Sequence, residues 1–204
     1  MFFSFDGIDG VGKSTQMERF TDLLREHGHD VVTCRDPGST RLGEVIREIV
    51  LSDFETPIDG RSEMLLYMAA RAQLVQEFIK PALAAGKTVV SDRFLLANVV
   101  YQGHAGGLDV DDLWQVGHVA TEGVEPDLTF LLDMSIEAAD ARMGEERDRM
   151  ESRGNEYRER LRKGFLSEAK RHPRQIVVID ASGSVDEVAA AIRAAVEPCL
   201  SDAS

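Results

Sequence analysis

The stretch from Phe2 to Ser14 constrains this chain more than any other. Phe2–Phe5 is an apolar run of strand length that leads into Gly7-Ile8-Asp9-Gly10-Val11-Gly12-Lys13-Ser14. From Lys13 the spacing turns helical, with Met17, Phe20, Leu23 and Leu24 on one face and Gly28 where a helix stops. A G-x-x-x-x-G-K-[ST] segment between a strand and a helix is a P-loop. Its glycines let backbone N–H groups converge on phosphate oxygens in conformations that side chains obstruct. The helix N-terminus adds unsatisfied donors and positive partial charge. Lys13 is expected at the β- and γ-phosphates and the Ser14 hydroxyl at Mg²⁺. Gly7, Ile8, Asp9, Gly10, Val11, Gly12, Lys13, Ser14 and Thr15 therefore make up the expected triphosphate-binding segment. A P-loop by itself leaves a kinase, a GTPase, a motor and a binding module open.

The rest of the chain alternates. Strand-like runs stand at Phe2–Phe5, Asp30–Cys34, Thr88–Ser91, Leu128–Asp133 and Ile176–Asp180. Between them lie helical patterns at Lys13–Glu26, Arg41–Leu51, Glu63–Ala85, Asp111–Thr121, Glu156–Arg171 and Val185–Val196. Pro81 is expected to bend the last turn of the long third helix. Continuous apolar strands joined by helices imply an α/β fold, an open five-stranded parallel sheet with helices on both faces. One domain over 1–204 is expected. Its one composition shift is the charged stretch Arg142–Lys163, which by itself reads as a solvated helix face. Ligands in such sheets sit beyond the carboxyl ends of the strands, where Asp6, Asp92, Asp133 and Asp180 fall.

Charge narrows the partners. The chain of 204 residues has 23 Lys and Arg against 36 Asp and Glu, a net charge of −13. Such a surface repels a nucleic-acid polymer and an anionic membrane, yet admits a small anionic ligand where a few cations gather. The longest apolar run, Met64–Ala70, is too short to span a bilayer, and Asp6 comes too early for a secretory signal. Cys34 and Cys199 have no metal or redox spacing, and the five histidines show no metal pattern. A cytoplasmic location is expected.

No N/T-K-x-D segment for reading guanine is present, and the chain is short for a motor. A small P-loop protein suggests a nucleoside or nucleotide kinase. The blocks FFSFDGIDGVGKST, RDPGST, LLYMAARAQ, SDRFLLANVVYQG, PDLTFLLD and DRMES then carry a closer likeness. In order and spacing, from Phe2 to about Val188, the chain resembles the bacterial thymidylate kinases, P-loop nucleoside monophosphate kinases.

That resemblance implies transfer of the γ-phosphoryl of ATP to dTMP with Mg²⁺, and a homodimer. Asp9 helps position the acceptor nucleotide and its phosphate or metal, and Arg35 and Asp36 belong to the loop after the second strand. Tyr67 stacks on thymine, and Arg71, four residues on, contacts a base carbonyl. Asp92 orients Mg²⁺ and Arg93 clamps the acceptor phosphate. Asn98 meets the base edge, Tyr101 lies against the deoxyribose, and Gln102 completes that block. The charged stretch Arg142–Lys163 maps to the family's short mobile lid, at about 142–155. Arg147 and Arg149 are the lid arginines, with Asp148 and Glu151 orienting them or touching the acceptor, and Arg142 is the weaker third cation. Because position 11 is Val11, the lid must supply the cationic charge that some relatives carry inside the P-loop. Asp36 stands where the family has Glu, Ala70 where it has Asp and Ala97 where a serine is common. A kinase of another pyrimidine nucleotide or a deoxynucleoside stays open as the alternative.

Overall fold

The computed structural model describes residues 1–52, 57–142 and 154–201. Its strands are β1 Phe2–Asp6, β2 Val31–Arg35, β3 Thr88–Asp92, β4 Leu128–Asp133 and β5 Ile176–Asp180. They form one parallel sheet in the order β2-β3-β1-β4-β5. Each lies within a residue of its expected bounds; β1, β3 and β4 are buried almost throughout, while β2 and β5, at the sheet edges, alternate between buried and exposed positions.

The side chains of β1 alternate between two cores. Phe3 and Phe5 point to α1 (Lys13–Glu26) and meet Phe20 at 5.2 and 5.5 Å between ring centroids; Phe20 and Phe5 each lie 5.0 Å from Phe130 of β4. On the other face Phe2 meets Phe94 edge-on at 5.0 Å, and Ser4 Oγ shares a 2.8 Å hydrogen bond with Thr129 Oγ1. Each such ring, fully buried, contributes about 1.5–3 kcal/mol.

The remaining helices are α2 Arg41–Leu51, α3 Gly60–Leu74, α4 Lys80–Ala84, α5 Leu95–Asn98, α6 Val110–Thr121, α7 Ile136–Arg142, α8 Asn155–Arg171 and α9 Val185–Ser201. The start of α2 is capped by the Thr40 hydroxyl, which accepts from the Gly43 N–H. Two expectations need correction. The helix read over Glu63–Ala85 starts at Gly60, and its irregularity is not at Pro81 but in a π-turn at Val75–Ile79 joining α3 to α4. Proline crowds the carbonyl four residues back, that of Glu77, and a widened turn just upstream relieves it. The sequence pattern predicts no helix directly after β3. The stretch there forms α5, which continues as a second π-turn over Val99–His104. Leu95, Leu96, Val99 and Val100 are buried in the core while Asn98, Tyr101 and Gln102 line the cleft; Asn98 and Gln102 are buried too, so the segment lacks the exposed polar face that marks a surface helix.

Candidate active site

The carboxyl ends of β1, β2 and β3 open into a cleft of about 720 Å³. Asp9, Gly10, Val11, Gly12, Lys13, Ser14, Thr15, Arg35, Asp36, Tyr67, Arg71, Asp92, Arg93, Asn98, Tyr101 and Gln102 all line it. Gly7 and Ile8 lie behind the lining. Gly7 has φ 135°, and a Cβ there would sit 2.4 Å from the Leu132 carbonyl oxygen, so the chain leaves β1 by a path open to glycine alone.

The centre of the site is one carboxylate. Asp9 Oδ1 accepts from Lys13 Nζ at 3.1 Å and from Arg93 Nη2 at 2.5 Å, and Asp9 Oδ2 accepts from the Tyr101 hydroxyl at 3.2 Å. Lys13 also donates to the carbonyls of Gly7 and Ile8, and Arg93 to that of Gly7. Arg93 takes a left-handed backbone, φ 65°, just past β3. For a residue with a Cβ this costs about 1–3 kcal/mol, and such strain collects at working sites. Here it aims the guanidinium into the P-loop.

The charges act on one another. Burial works to raise the Asp9 carboxyl, but the Arg93 and Lys13 charges and their hydrogen bonds overcome it and hold Asp9 well below the usual carboxylate range. Asp6, at the end of β1, is fully buried; burial pushes its carboxyl up to about 7 against the pull of Arg93 and Lys13. Burial, then the neighbouring Arg93 charge, lowers the Lys13 ammonium.

A second group lies on the far side of Arg93. The Arg71 side chain is 1% exposed and donates from Nε to Asp36 Oδ2 at 2.5 Å and from Nη1 to Asn98 Oδ1 at 3.1 Å. Asn98 Nδ2 gives to Gln102 Oε1 at 2.6 Å, and Gln102 Nε2 gives to Glu63 Oε1 at 2.8 Å. Tyr67, between Glu63 and Arg71 on α3, presents its ring to the cleft. Arg35, by contrast, stands half-exposed at the rim and forks onto both oxygens of Glu44 at 2.9 and 2.8 Å.

Several lining residues were not singled out by the sequence. Arg47 on α2 reaches the Pro37 carbonyl at 3.2 Å. Gly183, Ser184, Val185 and Val188 were not singled out either; they wall the end of the cleft beyond the P-loop together with Arg142, the weaker third cation of the sequence reading, which ends α7 and donates to the carbonyls of Ala181, Ser182 and Gly183. The loop after β5 was findable, because every strand of a parallel sheet delivers its following loop to this edge. Arg147, Asp148, Arg149 and Glu151 lie outside the described residues. Asp133 takes a fork from Arg162 and Asp180 caps the Ser182 N–H, so neither strand-end acid enters the cleft.

The donor set suits a hard cation. Asp92 Oδ1 is buried without a hydrogen-bond partner, and Asp92 and Ser14 both line the cleft. No group of three or more His, Cys, Asp or Glu that could hold a metal occurs among the described residues. A cation here would draw its other ligands from water and phosphate, as Mg²⁺ does.

A sequence model of the family described as thymidylate kinase matches residues 5–192. The chain belongs to the thymidylate kinase family. It is 48% identical to the thymidylate kinase of Rhodopirellula baltica over 191 residues, covering 94% of this chain and 78% of that one. It is 43% identical to that of Desulforudis audaxviator over 204 residues, covering 99% and 92%. The crystal structure of thymidylate kinase from Ehrlichia chaffeensis superposes with a TM-score of 0.79 at 31% identity, covering 97% of this chain and 98% of that one. The fold expected from the sequence is the family's fold, and the chemistry is the family's too, ATP-dependent phosphoryl transfer to a nucleoside monophosphate.

Proposed function

We propose that this enzyme moves the γ-phosphoryl group of ATP to dTMP, giving dTDP and ADP, with Mg²⁺ bound at Ser14 and Asp92. The observation that carries this reading is the shared carboxylate. Asp9 accepts from Lys13, the cation of the donor loop, and from Arg93, the cation facing the acceptor half, so the two phosphate subsites adjoin. Two anions brought to that point replace Asp9 as partners of the two cations.

Lys13 and the P-loop N–H groups hold the donor phosphates, with Arg142 and the 183–185 loop at the nucleoside end. Arg93, with Arg35 and Arg47 toward the rim, holds the acceptor phosphate; the planar fork of arginine matches phosphate oxygens two at a time. Tyr67 stacks on the pyrimidine. Arg71, Asn98 and Gln102 face its edge, and Tyr101 faces the sugar. Bound Mg²⁺ would add charge neutralisation at the phosphates. No protein nucleophile is needed: an acceptor phosphate oxygen attacks in line, and the chain contributes position and positive charge. Because Val11 is apolar and buried, Arg147 and Arg149 of the lid are assigned the remaining charge on the migrating group, with Asp148 and Glu151 beside them.

The chain is further assigned to one domain, to the cytoplasm and to a homodimer. No helix among the described residues is long and apolar enough to cross a membrane, and Cys34 and Cys199 are both free thiols. Leu42 and Val45 on α2 and Leu65 on α3, helices that pack together, stand 45–51% exposed and form a face suited to a second copy.

An acceptor screen with ATP and Mg²⁺ tests the assignment. ADP release should be fastest with dTMP, ahead of dUMP, dCMP and thymidine; preference for another acceptor would select the alternative kinase. Lys13→Ala should lower turnover by about 10²-fold or more with the fold kept, as judged by circular dichroism. Near-normal turnover in that variant contradicts the mechanism.

A further inference from the structure

Glu63 has no place in the chemistry above, yet it is 2% exposed and is reached by a buried chain of hydrogen bonds: Arg71 to Asn98, Asn98 to Gln102, Gln102 to Glu63. The layout follows from helix geometry. Glu63 and Arg71 lie eight residues apart on α3 and share a face; Asn98 and Gln102 lie four apart on the facing segment, α5 and its π-turn. The two charged groups flank the two carboxamides, which bridge them.

We propose that Glu63 is a specificity-determining positioning residue: it fixes the direction of this chain, and with it the single pattern of donors and acceptors that Asn98 and Gln102 turn toward the acceptor base. A carboxamide is nearly symmetric in shape and can sit either way round, so its neighbours choose. A guanidinium only donates and a carboxylate only accepts. Arg71 therefore requires the oxygen of Asn98, and Glu63 requires the nitrogen of Gln102. Turning both amides over would set N–H against N–H at one end and oxygen against oxygen at the other, in a buried place where unmatched groups are costly. Turning one alone breaks the central 2.6 Å bond. Both amides line the cleft, and each keeps one N–H and one lone pair that the chain does not use.

The consequence concerns which base is accepted, so it rests on the proposed function. Thymine and uracil offer an N–H at N3 and an acceptor oxygen at C4; cytosine offers an acceptor at N3 and an amino group at C4. The two edges are opposite in sense. A donor–acceptor pattern locked at both ends suits one of them and rejects the other by leaving groups unpaired. Nothing in the lock senses the thymine methyl.

The test is Glu63→Gln, an isosteric change that replaces an obligate acceptor with a group able to play either part. With ATP and Mg²⁺, kcat/KM is measured for dTMP, dUMP and dCMP in both proteins. The dTMP-to-dCMP ratio should fall about tenfold in the variant, chiefly through KM, while the dTMP-to-dUMP ratio stays as in the wild type. Ratios are independent of the active fraction, so mere loss of fold moves neither. If both ratios hold, or both shift together, Glu63 sets no base preference and the inference is wrong. If the wild type turns over none of the three, the assigned function fails instead, a result visible before any variant is made. Should Glu63→Gln not fold, ¹⁵N spectra of the wild-type side-chain amides decide the matter. Asn98 and Gln102 should each give one set of slowly exchanging resonances; two sets, meaning both orientations, overturn the lock.

Discussion

At the scale of single residues, Asp6 and Asp9 stand three positions apart and are driven in opposite directions. Asp9 touches Lys13 and Arg93. Its carboxyl is held low, so its contribution to stability is present above the ordinary carboxylate value and is lost only as pH falls toward the folded value. Neither oxygen of Asp6 has a hydrogen-bond partner, and Arg93 Nη1 comes no nearer than 3.9 Å. Its folded value of about 7 exceeds the 3.8 of the unfolded chain, so across that window the native state holds a proton that the unfolded state has released. Stability therefore declines as pH rises through it. From pH 5 to pH 8 this one group should remove about 2–3 kcal/mol. Asp6→Asn should abolish that decline, which urea midpoints of nucleotide-free protein at the two pH values would register. An equal decline in wild type and variant would assign it elsewhere. The motif marked Asp9 as a site residue; the fate of Asp6 followed from burial, which no motif reports.

At the scale of elements, the site depends on a segment whose helical character the sequence hid. The π-turn after α5 carries Tyr101 and Gln102, and α8 presses on it from behind. Gly164 of α8 lies so close that a Cβ there would approach His104 Cβ to 2.6 Å and Val100 Cγ1 to 3.1 Å. Nearby, the Tyr157 hydroxyl reaches the Tyr101 carbonyl at 3.4 Å, and Glu168, fully buried, takes hydrogen bonds from His104 and Trp114 at 2.8 Å each. Gly164→Ala should push the π-turn toward the cleft. It should raise KM for dTMP several-fold with little change in KM for ATP, and cost about 1–3 kcal/mol of stability in chemical denaturation. Equal effects on both substrates would mean that α8 supports the whole fold rather than the acceptor half. The amphipathic helices, α1 and α2 among them, were legible because each has one apolar stripe. The segment from Leu95 to His104 was not, because its α-helical part is only four residues long, it passes into a π-turn, and its polar side is buried against the cleft instead of exposed.

At the scale of the whole molecule, a chain of net charge −13 gathers Lys13, Arg35, Arg47, Arg71, Arg93 and Arg142 around one cleft. The surplus of acid lies elsewhere, so small anions meet a local field opposite in sign to the total. The exposed apolar face on α2 and α3 is also a property of the assembled surface. Val45→Glu with Leu65→Glu should convert the proposed dimer to a monomer in sedimentation velocity while the far-ultraviolet spectrum is kept; an unchanged sedimentation coefficient would place the interface elsewhere. The sequence by itself determined the five strands, their parallel order of use and the phosphate cradle, because these rest on local rules: apolar runs, helix periodicity, and glycines where only glycine fits. It also marked the P-loop lining and the strand-end residues Asp92 and Arg93, since the strand ends of a parallel sheet are known once the strands are; Tyr67, Arg71, Asn98, Tyr101 and Gln102 were marked only through the family resemblance. The tertiary structure alone decided who partners whom. Arg47, Arg142 and Glu63 join the site or its support through contacts with residues 10 to 41 positions away, and Asp9 becomes the meeting point of Lys13 and Arg93 because the sheet sets β1 beside β3. Hydrogen-bond direction and the sign of a pKa shift depend on such neighbours and on exclusion of water, and neither is written in the order of residues along a chain.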